Sequence, residues 1–295
     1  MTIPFAKLQG AGNGYVVIDV RDRDWDLPAL AREMCQPCFG VGSDGLACIQ
    51  RSSVAAIRMR IFNSDGSEAE MSGNGIRLFA KWVLDRGVVE VDEGEGLVIE
   101  TLGGLRTVWP RWGASGVESA RVAMGRPSFE PEAIPFDVRR VDAQRGGSAI
   151  TLELWLPSGA KRRLDLLCLS IGNPHAVALL EDPVEDFPLD VVGPQVVEHP
   201  AFPHRINFEI VNVLAPDRIR ARIFERGEGE TLASGTGSSA SVVASRMLRP
   251  MRSAVSVELR GGVLRVDWDG EDEVFLEGPT ALVFTGVWPG SGARA

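Results

Sequence analysis

The sequence predicts an α/β protein built of two matched halves, and three observations carry that prediction. Residues 58–75, R-M-R-I-F-N-S-D-G-S-E-A-E-M-S-G-N-G, return as residues 220–237, R-A-R-I-F-E-R-G-E-G-E-T-L-A-S-G-T-G, at a constant offset of 162 residues (220 minus 58). Arg58/Arg220, Arg60/Arg222, Ile61/Ile223, Phe62/Phe224, Glu68/Glu230, Ser72/Ser234, Gly73/Gly235 and Gly75/Gly237 are identical. Each copy also has one local grammar: R-x-R-I-F suits a short strand, a polar Gly-bearing loop follows, and S-G-x-G opens a helical run. Finally, 295 residues with 44% hydrophobic content suffice for two cores of about 120 to 150 residues each and argue against large-scale disorder.

In order, residues 5–20 (F-A-K-L-Q-G-A-G-N-G-Y-V-V-I-D-V) predict a strand, a tight turn around Gly10, Gly12 and Gly14, and a second strand from Tyr15. Asn13 at that turn serves either a left-handed backbone or a ligand. A helix over 27–34 precedes the Gly-rich loop 40–45, which feeds an apolar strand over 46–50. The first repeat copy follows, its helix over 76–85 ending near Arg86-Gly87. Strands over 97–102 and 105–109 straddle Gly103-Gly104 as a hairpin, and the small residues of 113–116 predict the crossover to the second half. Strands over 120–124, 150–156 and 163–170 flank a polar connector at 139–147. Pro174 is expected to end the 163–170 strand in a loop carrying Asn173 and His175, where sites tend to be built; an Asn-Pro turn with a satisfied histidine is the alternative. There follow a short helix over 191–198, a strand over 205–213 with Asn207 among apolar neighbours, and the second repeat copy with its helix over 238–248. Strands over 255–259, 262–267, 274–278 and 281–288 complete the chain.

Composition excludes several function classes. A net charge of −9 and a pI near 5.0, with no Lys/Arg cluster, argue against nucleic acid or an anionic membrane surface as partner. The start M-T-I-P-F-A-K-L lacks a signal-peptide pattern and no uncharged apolar run approaches a membrane span, so a cytoplasmic protein is expected. Cys35, Cys38, Cys48 and Cys168 form no disulfide framework, and the lone Cys35-Gln-Pro-Cys38 has no second metal half-site. His175, His199 and His204 have no ligand spacing, so no metal is expected.

The duplicated S-G-x-G carries the chemistry. A turn of this kind before a helix aims free N–H groups and the positive end of the helix dipole at one spot, which suits a carboxylate or phosphate. One copy alone reads rather as an N-cap with flexible glycines. Two copies in register, facing across a pseudo-two-fold axis, would bring two equivalent side chains, Ser72 and Ser234, to opposite faces of one small anionic ligand. A stereochemical inversion needs that geometry, since one group removes a proton from a carbon and its twin delivers one.

The set G-A-G-N at 10–13, G-V-G-S-D-G-L at 40–46, F-N-S-D-G-S-E-A-E-M-x-G-N-G-I-R at 62–77, G-N-P-H at 172–175 and F-E-R-G-x-G-E-T-x-A-x-G-T-G at 224–237 resembles the diaminopimelate epimerase family, in order and across nearly the whole chain. The resemblance implies two lobes, 1–117 plus 275–295 and 118–274, each a curved, mostly antiparallel sheet around a central helix. It implies a cofactor-independent isomerase that interconverts LL- and meso-diaminopimelate by two-base proton transfer, in lysine and peptidoglycan-precursor synthesis. Asn63, Asn173, Asn207 and Arg226 would hold the distal end of this amino-acid substrate with Asn13 nearby, Arg226 gripping a carboxylate with its guanidinium fork. Gly73, Asn74, Gly235 and Thr236 would receive the α-carboxylate and the charge that develops on it. His175 and Glu225 would flank the reacting amine or orient the acid/base pair. Members are often homodimers, although no interface signal stands in these residues.

The main departure lies at Ser72 and Ser234, where the family has cysteines. A thiol at a helix N-terminus ionises well below about 8.5, whereas a hydroxyl needs a neighbouring base, and no His or Lys is adjacent to either serine in sequence. Loss of tuned acid–base catalysis removes about 10² to 10⁴ in rate per step, so impaired epimerisation is expected. Three readings stay open: a double Cys-to-Ser variant of an epimerase, a natural serine member acting on another amino acid as isomerase, racemase or dehydratase, and a non-catalytic amino-acid-binding protein. Gly14, where the family commonly has Asp, and Gly45, where some members have Gln, are smaller departures.

Overall fold

The computed structural model describes residues 2–92, 94–137, 142–144 and 148–289, the backbone alone for 142–144. The chain divides into two compact units, Met1–Ala123 with Glu277–Ala295, and Met124–Leu276.

The first unit begins with β1 (Ile3–Gly10), β2 (Asn13–Asp19), α1 (Leu27–Cys35), β3 (Gly45–Gln50), β4 (Ile57–Asn63) and β5 (Glu68–Ala69). It continues with α2 (Gly73–Asp85), β6 (Leu97–Thr101), β7 (Gly104–Gly113) and β8 (Gly116–Gly125). β1 pairs antiparallel with β2 and with the last strand of the chain, Ala281–Trp288. β2 and β3 are parallel, β3 and β4 antiparallel, β4 and β6 parallel, and β6–β7–β8 an antiparallel meander.

The second unit repeats this series. It holds β9 (Asp142–Gln144), β10 (Ala149–Trp155), β11 (Lys161–Ser170), β12 (Pro174–Leu179), α3 (Leu189–Val197), β13 (Asn207–Ala215) and β14 (Arg218–Glu225). Then come β15 (Gly229–Thr231), α4 (Gly235–Leu248), β16 (Ala254–Leu259), β17 (Gly262–Asp267) and β18 (Val274–Pro279). β11–β12 is antiparallel, β12–β13 parallel, β13–β14 antiparallel, β14–β16 parallel and β16–β17 antiparallel. Each parallel pair is bridged by a helix, as a parallel crossover requires, so the duplication read in 18 residues extends to the whole topology.

In each unit the strands pack around one helix. α2 packs against β1, β2, β3, β4 and β7, and α4 against β11 to β14, β16 and β17. A helix so enclosed is buried on nearly every side: Ile76, Leu78, Phe79, Ala80 and Val83 are fully buried in α2, and Ser238 to Ala244 in α4. The opposite face of each sheet carries a second core. Phe5, Val16, Ile18, Leu46, Cys48 and Phe62 join α1 through Leu27, Leu30, Ala31 and Met34; Ala176, Ala178, Phe208 and Ile210 join α3 through Leu189, Val192 and Val196. Because side chains alternate along a strand, Tyr15 and Val17 face away from the α1 core, as do His175, Asn207 and Glu209 from the α3 core.

Four expectations need correction. Gly113 and Gly116 close the β7–β8 hairpin within the first unit instead of forming the crossover to the second half. The 163–170 strand does end at Ser170, but Pro174 opens the next strand instead of a loop: as the first residue of β12 it pairs with Ser170, a position where a missing donor is tolerated. His175 therefore lies in an interior strand between β11 and β13, not in a loop. Within the expected connector 139–147, Asp142–Gln144 pairs with Ala149–Thr151; residues 139–141 and 145–147 lie outside the described residues. Among the described residues no helix is long and apolar enough to cross a membrane, and no group of three or more His, Cys, Asp or Glu side chains could hold a metal ion.

Candidate active site

Ser72 and Ser234 occupy equivalent positions at the starts of the two central helices. Each is an N-cap in extended backbone, φ −134° and ψ 124° for Ser72 and φ −132° and ψ 131° for Ser234. Each hydroxyl accepts from the N–H three residues on, Gly75 N at 3.0 Å and Gly237 N at 3.3 Å. The N-cap reading holds at both positions. Helix geometry leaves the N–H groups of Gly73, Asn74, Gly235 and Thr236 without an intrahelical carbonyl, and the dipole favours negative charge beside them.

The second glycine of S-G-x-G has a packing cause. A Cβ on Gly75 would come within 2.4 Å of Ile61 Cδ1, and one on Gly237 within 3.0 Å of Ile223 Cδ1. Ile61 and Ile223 are themselves repeat identities, so strand and helix start are matched to each other in each unit.

In the first unit Tyr15 Oη donates to Ser72 Oγ at 3.1 Å. Asn74 Nδ2 donates to Asn13 Oδ1 at 3.1 Å, and Asn13 Nδ2 donates to Asp44 Oδ2 at 2.9 Å. Asp44 also accepts from Gly14 N at 2.6 Å, so one carboxylate anchors the turn whose conformation was open in the sequence. Arg77, fully buried on α2, donates to Gly73 O at 2.8 Å and to Asn74 Oδ1; burial lowers its pKa to about 9. Asn63 stands apart, its Nδ2 donating to Ser67 Oγ at 2.9 Å.

In the second unit His175 and Glu209 are both fully buried, with Nδ1 and Oε1 2.7 Å apart. Burial pushes the Glu209 carboxyl above its ordinary range, an effect the histidine opposes. His175 Nε2 is hydrogen-bonded to Asn173 Oδ1 at 2.9 Å. Asn173 Nδ2 reaches Thr236 Oγ1 at 3.4 Å, which links β12 to the start of α4. Asn207 Oδ1 accepts from Arg226 N at 3.0 Å, tying β13 to the Arg226 loop. Glu225, half-buried at the end of β14, accepts from Thr231 Oγ1 at 2.9 Å; burial pushes its pKa up, an effect that the Thr231 hydrogen bond opposes.

Sequence reasoning missed Tyr15, Asp44, Arg77 and Glu209 as members of these constellations. Glu209 left a legible signal, a lone carboxylate between Phe208 and Ile210 in an apolar strand. Asp44 and Tyr15 left none, because only strand pairing brings them to Asn13 and Ser72.

The model of the family described as diaminopimelate epimerase matches residues 5–130 and 167–283. A relative of that name from Moorella thermoacetica is 41% identical over 290 residues, covering 97% of this chain and 99% of its own. The chain belongs to the diaminopimelate epimerase family. A second member, from Methanothermobacter thermautotrophicus, is 40% identical over 97% of this chain and 98% of its own length. Among solved structures, a hydroxyproline epimerase from Agrobacterium vitis with bound trans-4-hydroxy-L-proline superimposes with a TM-score of 0.69 at 15% identity, covering 97% of this chain and 92% of that one. A PhzF-family phenazine biosynthesis protein from Bacillus anthracis does so with a TM-score of 0.66 at 16% identity, covering 98% and 99%. At such identities these two share the fold of the diaminopimelate epimerase family and nothing finer is drawn from them.

Proposed function

We propose that the chain is a cofactor-independent amino-acid epimerase of the diaminopimelate class, in which the Ser72 position and the Ser234 position exchange protons with the α-carbon. The observation that carries this reading is the pair of matched helix starts within a chain similar to diaminopimelate epimerases over nearly its full length. The N–H groups of Gly73, Asn74, Gly235 and Thr236 receive the α-carboxylate, and they stabilise charge that spreads onto it as the α-proton leaves. Arg226 takes the distal carboxylate, with Asn13, Asn63, Asn173 and Asn207 shaping the polar wall. His175 and Glu225 flank the reacting amine or orient the acid/base pair. Serine hydroxyls make poor carbon acid/base groups, so turnover is slow as the chain stands. A natural serine enzyme for another amino acid is the second reading, favoured by the phenol on Ser72.

The test is exchange of the α-hydrogen for deuterium from D₂O. The chain and its Ser72→Cys/Ser234→Cys version are incubated with diaminopimelate, and exchange of at least about 10²-fold greater rate in the restored protein is expected. No exchange in either protein would overturn the epimerase reading. The acidic, cytoplasmic character expected from composition accords with a metabolic enzyme that meets neither nucleic acid nor membrane. A homodimer is also proposed. The last strand leaves Leu282, Val283, Phe284 and Val287 between 46% and 61% exposed, which fits a contact with a second copy; a concentration-independent monomer mass by ultracentrifugation would refute it.

A further inference from the structure

The duplication reaches further than the helix starts. Gly12-Asn13-Gly14-Tyr15 opens β2 as Gly172-Asn173-Pro174-His175 opens β12. Gly12 and Gly172 adopt the same left-handed backbone, φ +81° and +83°. β2 then runs parallel to β3 with Tyr15 opposite Gly45, as β12 runs parallel to β13 with His175 opposite Asn207. Tyr15 therefore holds in the first unit the place that His175 holds in the second. It is 7% exposed, the single tyrosine of the chain, and its Oη lies 3.1 Å from Ser72 Oγ.

The room for this ring comes from Gly45. A Cβ there would sit 2.4 Å from Tyr15 Cε1 and 2.7 Å from Phe62 O, so any other residue at 45 displaces the phenol. The charged groups along the neighbouring segments are engaged elsewhere. Lys7 Nζ on β1 donates to Gly42 O, Asp44 before β3 accepts from Asn13 and Gly14, and Arg77 on α2 donates to Gly73 O and Asn74.

We propose that Tyr15 is a positioning residue that supplies Ser72 with its proton, making the serine an acid arm for the α-carbon. The inference rests on the epimerase reading above. In the step, the electron pair of the α-carbanion takes the Ser72 hydroxyl proton, forming a C–H bond and breaking the Oγ–H bond. The Tyr15 proton moves along the existing hydrogen bond to Ser72 Oγ, and the negative charge comes to rest on the phenolate. Phenol is a far stronger acid than a serine hydroxyl, with an ordinary pKa near about 10, so the relay lowers the cost of leaving charge on that side. Solvent or the reverse reaction restores the phenol.

The experiment compares Tyr15→Phe in the chain as it stands and in the Ser72→Cys/Ser234→Cys protein, reading α-hydrogen exchange from diaminopimelate across pH. The loss on removing the phenol is expected to be greater by about tenfold or more with Ser72 than with Cys at that position. With Ser72 present, exchange should fall at alkaline pH in step with the near-ultraviolet titration of the single tyrosine, and Tyr15→Phe should abolish that limb. Equal losses in both backgrounds, or an alkaline limb that survives Tyr15→Phe, would overturn the relay and reduce Tyr15 to packing. Exchange in the cysteine protein with none at all in the serine chain would overturn the relay while leaving the epimerase reading intact. Silence in both proteins removes the reading and the relay together.

Discussion

Arg60 grips Glu68 through two hydrogen bonds, Nε to Oε1 at 2.7 Å and Nη2 to Oε2 at 2.8 Å. The counterpart pair repeats the fork, with Arg222 Nε to Glu230 Oε1 at 2.8 Å and Nη2 to Oε2 at 2.9 Å. In each unit this clamp ties the R-x-R-I-F strand to the short strand that leads into the helix start, so the segment before Ser72 or Ser234 is held by a charge pair built from repeat identities. The guanidinium holds Glu68 below the usual carboxylate range. A depressed carboxylate contributes stability above its unfolded pKa and loses it as pH falls through the folded one. Glu68→Gln should therefore lower stability at neutral pH by about 1 to 2 kcal/mol, and chemical denaturation should show the gap closing on the acid side.

Glu225 has the opposite sign. Burial raises its pKa, so the folded state resists its ionisation. Its charge is a cost that is absent below the ordinary carboxylate range and fully present above the folded pKa. Glu225→Gln should raise the melting temperature at neutral or alkaline pH, with no difference in strong acid, while α-hydrogen exchange falls. Calorimetry at several pH values checks the first part and the D₂O assay the second.

Gly45 is a steric prediction. Gly45→Ala places its Cβ 2.4 Å from the Tyr15 ring, and overpacking of this kind costs about 1 to 3 kcal/mol. The same substitution should shift the absorbance titration of the single tyrosine, because the ring must move.

Arg226 tests which end of the substrate is gripped. Removing a charge-assisted contact costs about 1.5 to 3 kcal/mol, so Arg226→Ala should weaken diaminopimelate binding by roughly 10- to 100-fold. Binding of an amino acid without a distal carboxylate should change far less, as isothermal titration would show.

What the residues alone determined is local or periodic. The duplication, the strand-loop-helix order, the serines at two helix starts and the family itself are all written in short stretches, since propensity, capping and glycine packing act within a few residues. What tertiary structure alone decided is which distant groups meet. His175 belongs to an interior strand because Pro174 can begin a ladder, Glu209 reaches it because β13 runs parallel to β12 in one register, and Asp44 and Tyr15 reach Asn13 and Ser72 through the β2–β3 pairing and the packing of the strands around α2. Register and strand packing are long-range properties, and shifting a pairing by one residue would turn Tyr15, His175 and Glu209 to the other face.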